Sequence, residues 1–122
     1  MKKQLSILAG ILTCMCSYSQ TSLKPEEAAG HVGENVTVCG KVFGGKFLET
    51  AKDKPTFLNM GAKYPDSPLT IVIWDSLRSK LSYKPEEKFN NKEICITGKI
   101  ELYRGKPEII LQEAGQIKEQ EQ

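Results

Sequence analysis

The sequence predicts an all-β fold, a five-stranded Greek-key barrel with a short N-terminal helix and a second short helix between strands 3 and 4. Three observations lead to this prediction. Several short segments alternate between apolar and polar residues, these segments are rich in β-branched side chains, and turns containing glycine or proline separate them. The helical segments are too few and too short to build the core.

The first and fourth predicted strands show the clearest alternation. They are residues 35–42 (NVTVCGKV) and residues 93–103 (EICITGKIELY). In the first segment Val38 lies on one face and Cys39 on the other, because successive side chains of a strand point in opposite directions. Gly40 interrupts this pattern, and a glycine inside a strand predicts a bulge or a tight bend.

The other three strands are shorter and bounded by turn residues. Residues 56–60 (TFLNM) form the second strand, residues 69–74 (LTIVIW) the third, and residues 107–111 (PEIIL) the fifth. The segment after them is polar, and we expect it to fray beyond Ile117.

Two segments have the start and stop signals of helices. Residues 21–33 contain Pro25, which suits a first helical turn, and they end in a glycine at position 33. The second helix begins with Asp75 or Ser76 as its N-terminal cap. The order helix, three strands, helix, two strands is that of the OB-fold. Another five-stranded barrel or a sandwich has a similar strand count, but the position of the second helix favours the OB-fold.

The N-terminus has the layout of a secretory signal peptide. Lys2 and Lys3 precede the apolar run at residues 5–12 (LSILAGIL), and the small-residue segment SYS follows. We expect cleavage before Gln20, which makes residues 1–19 the signal peptide. The apolar run is too short for a transmembrane helix, which needs about 20 apolar residues. The less favoured alternative to a signal peptide is a buried N-terminal helix.

Lipid attachment is the second processing route to consider. Cys14 and Cys16 stand just after the apolar run, but Thr13 and Met15 before them do not fit a lipobox. We therefore expect a secreted or periplasmic protein, with a lipid-anchored form as the less favoured alternative. Its mature part is one OB-fold domain at residues 20–117, followed by a polar tail at residues 118–122.

The charge of the mature chain does not indicate a strongly basic nucleic-acid binder. The full chain has 17 basic and 15 acidic residues, and removal of Lys2 and Lys3 leaves 15 of each sign. Two cysteines, Cys39 and Cys95, also remain after cleavage. An even number of cysteines in an exported chain predicts a disulfide bond between them.

Strand alternation supports that pairing. If Val38 and Ile94 point into the barrel, both cysteines point out of it. Strands 1 and 4 of an OB-fold are antiparallel neighbours, and a non-hydrogen-bonded pair brings two cysteines within reach of a bridge. The alternative is two buried free thiols, which behave as small hydrophobic side chains.

No combination of residues indicates catalysis. His31 is the only histidine, and no nucleophile motif accompanies it. No metal-ligand spacing or cofactor motif is present. A barrel nuclease needs several carboxylates and arginines at one site, whereas this chain has only Arg78 and Arg104 as arginines. The sequence therefore predicts a protein that is not an enzyme and uses no cofactor.

Three runs, residues 27–42, 56–74 and 94–111, resemble small bacterial OB-fold domains described as nucleic-acid-binding-like. Such domains occur alone or attached to nucleases. The most specific segments are FLNMGAKYP and TGKIELYRGKPEI. The resemblance implies the OB-fold and, beyond it, binding of nucleic acid.

OB-folds bind single strands by stacking bases on aromatic side chains above a basic groove. The sequence offers aromatic and basic residues in and beside its strands and loops. The candidate site residues for single-stranded DNA or RNA are Lys41, Lys63, Tyr64, Trp74, Tyr103, Arg104 and Lys106. The alternative for these aromatic side chains is that they fill or cap the barrel. The alternative function is an envelope or periplasmic module that binds a protein, an oligosaccharide or a small ligand.

The signal peptide generates the first testable prediction. Export of the full chain in a bacterial host should yield a mature protein that starts at Gln20, with or without cyclisation of that residue. Intact-mass spectrometry of the purified protein measures this directly. A diacylated or triacylated Cys14 or Cys16 would contradict it and establish lipid anchoring.

Overall fold

The computed structural model describes residues 22–120, and these residues build one mixed β-sheet of seven strands. The strands are β1 (Asn35–Phe47), β2 (Thr56–Met60), β3 (Leu69–Ile73), β4 (Glu93–Lys99), β5 (Glu101–Tyr103), β6 (Lys106–Ile110) and β7 (Ile117–Glu119). Their order across the sheet is β5-β6-β3-β2-β1-β4-β7. The all-β class is confirmed. The predicted signal peptide and its cleavage site at Gln20 lie outside the described residues.

The helical segments are short. A 3-10 helix spans Pro25–His31, and it begins where the Lys24 main-chain N–H donates to Glu27 Oε1 over 2.8 Å. The connection from β3 to β4 holds two single turns, α1 (Asp75–Arg78) and α2 (Pro85–Lys88). A final 3-10 turn precedes β7. The predicted second helix is therefore divided: α1 ends at Arg78, and Pro85 starts a new turn at the first position of α2.

The strand count differs from the five that the sequence predicts, for two reasons. The predicted strand at residues 93–103 divides at Ile100, where the main-chain N–H turns to Glu34 O at 3.1 Å and the side chain is buried. Its first part, β4, pairs with β1, and its second part, β5, pairs with β6. The polar tail also does not fray directly beyond Ile117, because Ile117 is buried and Lys118 and Glu119 continue β7 against β4.

β1 is long because it serves two neighbours. Its first half pairs antiparallel with β4 and its second half with β2. The irregularity in β1 lies between Val42 and Gly45, not at Gly40 as the sequence suggests. Gly44 there has a φ of +90°, which favours glycine. Gly40 stays in regular pairing, and a side chain there would meet Pro25 Cγ at 2.7 Å.

The core lies on one face of the sheet and is almost entirely aliphatic. Ile71, Ile94, Ile96 and Ile109 have no exposed surface, and Phe89 from the end of α2 closes one side. The burial of such side chains is the main favourable term in folding, at about 1.5–3 kcal/mol for each. The inward positions therefore fix which side chains of each strand face outward.

An ion pair attaches the helical connection to the sheet. Arg78 donates to Glu86 over 2.7 Å, and its guanidinium carbon lies 3.6 Å from the centre of the Phe47 ring. Both charged side chains are mostly buried. The contact therefore holds α1 and α2 against the end of β1.

Cys39 and Cys95 are joined by a disulfide, as the sequence predicts. They are direct cross-strand partners in β1 and β4, with Cα atoms 4.0 Å apart. The Cys39 N–H donates to Leu23 O at 2.9 Å, away from β4, so the cysteines form a non-hydrogen-bonded pair. Their neighbours Val38 and Ile96 are buried, and the disulfide consequently lies on the outward face.

Removal of the disulfide generates a stability prediction. In the chain-entropy model, closing a loop of 56 residues between positions 39 and 95 stabilises the fold by about 4 kcal/mol. Cys39→Ser/Cys95→Ser should lower the free energy of unfolding by up to this amount, as measured by urea denaturation. Reduced wild-type protein is the control and should show the same loss. An unchanged midpoint in both proteins would contradict the prediction.

Candidate nucleic-acid interface

The β5–β6 hairpin and the loop at residues 61–68 lie side by side at one end of the sheet. β3 and β6 are parallel neighbours, so the loop that leads into β3 lies beside the start of β6. Lys106 at that start donates from Nζ to the main-chain oxygen of Pro65 over 3.4 Å. This hydrogen bond links the two segments, which are separated by about 40 residues in the sequence.

The hairpin turn is formed by Arg104 and Gly105. Both have positive φ values, +52° and +79°, as a two-residue type I′ turn requires. The turn makes Tyr103 and Lys106 cross-strand partners. Cross-strand partners point to the same side of a hairpin. An aromatic ring and an ammonium group therefore stand together at its tip.

Two aromatic side chains at this end are exposed to solvent. Tyr64 in the loop is 77% exposed and Tyr103 in the hairpin is 56% exposed. The Arg104 guanidinium carbon lies 5.2 Å from the centre of the Tyr103 ring, which is within cation–π range. Lys63 is exposed next to Tyr64. We call Lys63, Tyr64, Tyr103, Arg104 and Lys106 the hairpin–loop surface.

Trp74, which the sequence places in the same site, lies elsewhere. It follows the end of β3, whereas Tyr64 precedes the start of β3. A strand of five residues separates these ends by about 16 Å. Trp74 is 37% exposed and lines an open groove with Asp53 and Asp75. The predicted aromatic site is therefore divided between two ends of β3.

Lys41 also stands apart from the hairpin. Its main-chain oxygen accepts from Gly61 N at 2.9 Å, at the start of the loop. Its side chain is exposed on β1, with Nζ 5.2 Å from the centre of the Phe43 ring, and its cross-strand partner is Glu93. The structure thus brings five of the seven predicted residues together and leaves Lys41 and Trp74 outside the group.

The outward face between these ends contains residues that the sequence interpretation missed. Phe57, Val72 and Ile110 are cross-strand neighbours on β2, β3 and β6. Val72 is almost fully buried, yet it lies outside the core cluster. The alternation itself carries the signal, because Val72 and Ile110 each follow a core isoleucine and must point outward. They form an apolar strip on the outward face of the sheet.

A polar row runs beside this strip and ends in two carboxylates. Asn59, Thr70, Glu108 and Glu101 are successive cross-strand neighbours on β2, β3, β6 and β5. Burial raises the pKa of the Glu108 carboxyl group above its ordinary value, and the nearby Glu101 carboxylate raises it further. Negative charge therefore lies directly beside the cations of the hairpin–loop surface.

Comparisons with known proteins support the fold only. No protein-family model and no curated protein matches the chain. Among solved structures, the chain is similar to a crystal structure assigned as an aspartyl-tRNA synthetase of Leishmania major Friedlin, with a TM-score of 0.52 and 11% sequence identity. The alignment covers 91% of this chain and 23% of that chain. Among residues 22–120, no helix is long and apolar enough to cross a membrane.

The carboxylate pair generates a prediction about stability and pH. Because the pKa of Glu108 is raised in the folded state, its stabilising contribution is present at low pH and is lost as the pH rises through that value. Glu108→Gln removes the repulsion from Glu101 and should raise the free energy of unfolding at pH 7 by about 0.5 kcal/mol. Urea denaturation at pH 7 and at about pH 3.5 measures the effect, which should vanish at the lower pH.

Glu119→Gln is the matched control for this comparison. Glu119 is an exposed strand glutamate opposite Ile94, so it has no facing carboxylate. Its substitution should leave the free energy of unfolding within measurement error at both pH values. A gain from Glu108→Gln that is equally large at both pH values would contradict the electrostatic explanation.

Proposed function

We propose that this chain is a non-enzymatic binding module with OB-fold topology that holds single-stranded nucleic acid on the hairpin–loop surface. The observation that carries the proposal is the meeting of two exposed tyrosines with three cations across the Lys106–Pro65 hydrogen bond. These residues come from two separate segments of the chain. Folding alone brings these two segments next to each other.

The topology supports the OB-fold part of the proposal. Only Ile100 separates β4 from β5, and we treat the two as one bent strand. The pairings then run β1-β2-β3-β6 and return through the bent strand to β1. The helical turns lie between β3 and β4, as in an OB-fold. On this view β7 is an addition to a five-stranded arrangement, and the similar synthetase structure agrees with the fold.

The chemistry of the surface supports the choice of ligand. A base of any type can stack on an exposed aromatic ring, and cations beside the ring neutralise the phosphates. Tyr64 and Tyr103 supply two rings, while Arg104, Lys106 and Lys63 supply the positive charge. A solved structure to which the chain is similar is named as an aspartyl-tRNA synthetase. These points favour a nucleic-acid strand over the alternative partners, which are a protein, an oligosaccharide or a small ligand.

The proposal includes export of the module to a secreted or periplasmic location. The cross-strand disulfide supports this part, because disulfides persist in oxidising compartments and are rare in the cytosol. The proposal assigns no cofactor and no catalytic residue. Single-stranded nucleic acid outside the cytoplasm, as DNA or as RNA, is the ligand class that we test.

Binding should weaken when one stacking ring is removed. Tyr103→Ala should weaken binding to labelled single-stranded DNA or RNA by about 1–3 kcal/mol, since one base loses its platform. Leu102→Ala is the matched control: Leu102 is adjacent in β5, similarly exposed and on the opposite side of the strand. Fluorescence anisotropy measures both dissociation constants. Equal effects of the two substitutions would contradict stacking on Tyr103.

The salt dependence of the same binding tests the ligand class. Lys106→Ala should reduce the slope of log K against log salt by about one unit, because one phosphate contact is lost. The effect of Trp74→Ala on the dissociation constant shows whether the bound nucleic acid reaches Trp74, which lies beyond the end of β3. No binding of wild-type protein at low salt would reject the proposal. Binding of a sugar or protein that does not weaken with salt would favour the alternative.

A further inference from the structure

The outward side of the β1–β4 ladder contains a second surface, far from the hairpin–loop surface in the strand order. The disulfide Cys39–Cys95 lies in an open groove there, between the Leu23 segment on one side and β7 on the other. Both cysteines are partly exposed. Thiol–disulfide exchange begins with attack of a thiolate on one sulfur atom of the disulfide, so it requires that this sulfur is accessible.

The charge around the disulfide is asymmetric. Lys118 on β7 is the direct cross-strand partner of Cys95, so its side chain stands on the same outward face. It also lines the groove. Along the strands, Thr37 Oγ1 and Thr97 Oγ1 form a hydrogen bond of 2.8 Å next to the disulfide. A neighbouring ammonium group favours a thiolate, and here it favours one on Cys95 rather than on Cys39.

The fold does not depend on the bond for its strand pairing. The β1–β4 ladder runs through seven pairs, with the cysteines in the middle of it. Val38, Ile94 and Ile96 beneath them are fully buried. Cleavage of the disulfide therefore leaves the main-chain pairing and the core contacts of both strands in place. Loss of the cross-link lowers stability without releasing either strand.

We propose that Cys39–Cys95 is a thiol–disulfide exchange site for dithiol reductants. A thiolate of the dithiol attacks Cys39 Sγ, forms a mixed disulfide and expels the Cys95 thiolate beside Lys118. The second thiol of the reductant then attacks the reductant's other sulfur atom, which is bonded to Cys39 Sγ in the mixed disulfide, and Cys39 is released as a thiol. The dithiol is oxidised to a disulfide, the protein is reduced to two thiols, and two electrons and two protons are transferred.

Reduction of the folded protein by dithiothreitol tests this proposal. We expect a rate that does not change with urea below the unfolding transition, and a reduced protein that keeps its far-UV circular dichroism. A rate that rises with urea in parallel with the unfolded fraction would overturn the proposal, because the bond would then open only through unfolding. Loss of the circular dichroism signal on reduction would overturn it as well.

The role of Lys118 is tested with a charge series. Lys118→Gln should slow reduction by dithiothreitol about threefold, the effect of one unit charge about 6 Å from a thiolate in water. In the reduced protein it should also raise the pKa of the Cys95 thiol, read from the pH dependence of alkylation. Lys118→Arg should restore both values. Lys80→Gln, at an exposed lysine outside the groove, is the matched control. Equal rates for the two glutamine variants would refute the role of Lys118.

Discussion

The division of β1 between two partners is the constraint on which the rest of the structure depends. β1 changes its partner along its length, because it pairs with β4 as far as Lys41 and with β2 from Val42 onward. The change needs a local break in the pleat, and the irregularity before Gly45 with Gly44 at positive φ provides it. Both halves of β1 then contribute to a core of mainly isoleucine, leucine and valine side chains.

The strand order separates the two outward surfaces. The disulfide groove belongs to the first half of β1, with β4 and β7, and the hairpin–loop surface belongs to β6 and β5 next to the start of β3. In the strand order β2 and β3 lie between them. The two surfaces share no residue, although the chain runs from β4 directly into β5 through Ile100. The two proposals can consequently fail independently of each other.

Local patterns made part of this fold predictable. The second strand has the predicted bounds, and alternation placed Cys39 and Cys95 on one face because that pattern depends only on neighbouring residues. The break at Ile100 was not predictable, since it follows from a hydrogen bond to Glu34, which is distant in sequence. Gly40 was misread for a similar reason, because the contact that demands a glycine comes from Pro25.

The grouping of the candidate site residues likewise depends on contacts between residues that are distant in sequence. The residue types were visible in the sequence, but their grouping depends on the parallel pairing of β3 with β6, which brings Lys106 to Pro65 and leaves Trp74 at the other end. The carboxylates of Glu101 and Glu108 were likewise unremarkable as single residues and became a pair only through the register of the hairpin.

Local charge, and not the net charge, decides what this surface can hold. With 17 basic and 15 acidic residues, the chain has little long-range attraction for a polyanion. The hairpin tip nevertheless concentrates cations beside two tyrosines, while Glu101 and Glu108 place negative charge one step further along the same strands. Phosphates are therefore favoured at the tip and disfavoured over the polar row. The electrostatic potential changes sign within a few ångströms, which is less than the Debye length, so salt screens it only in part. A nucleic-acid strand that crosses the outward face therefore has to place its bases, and not its phosphates, above the carboxylates.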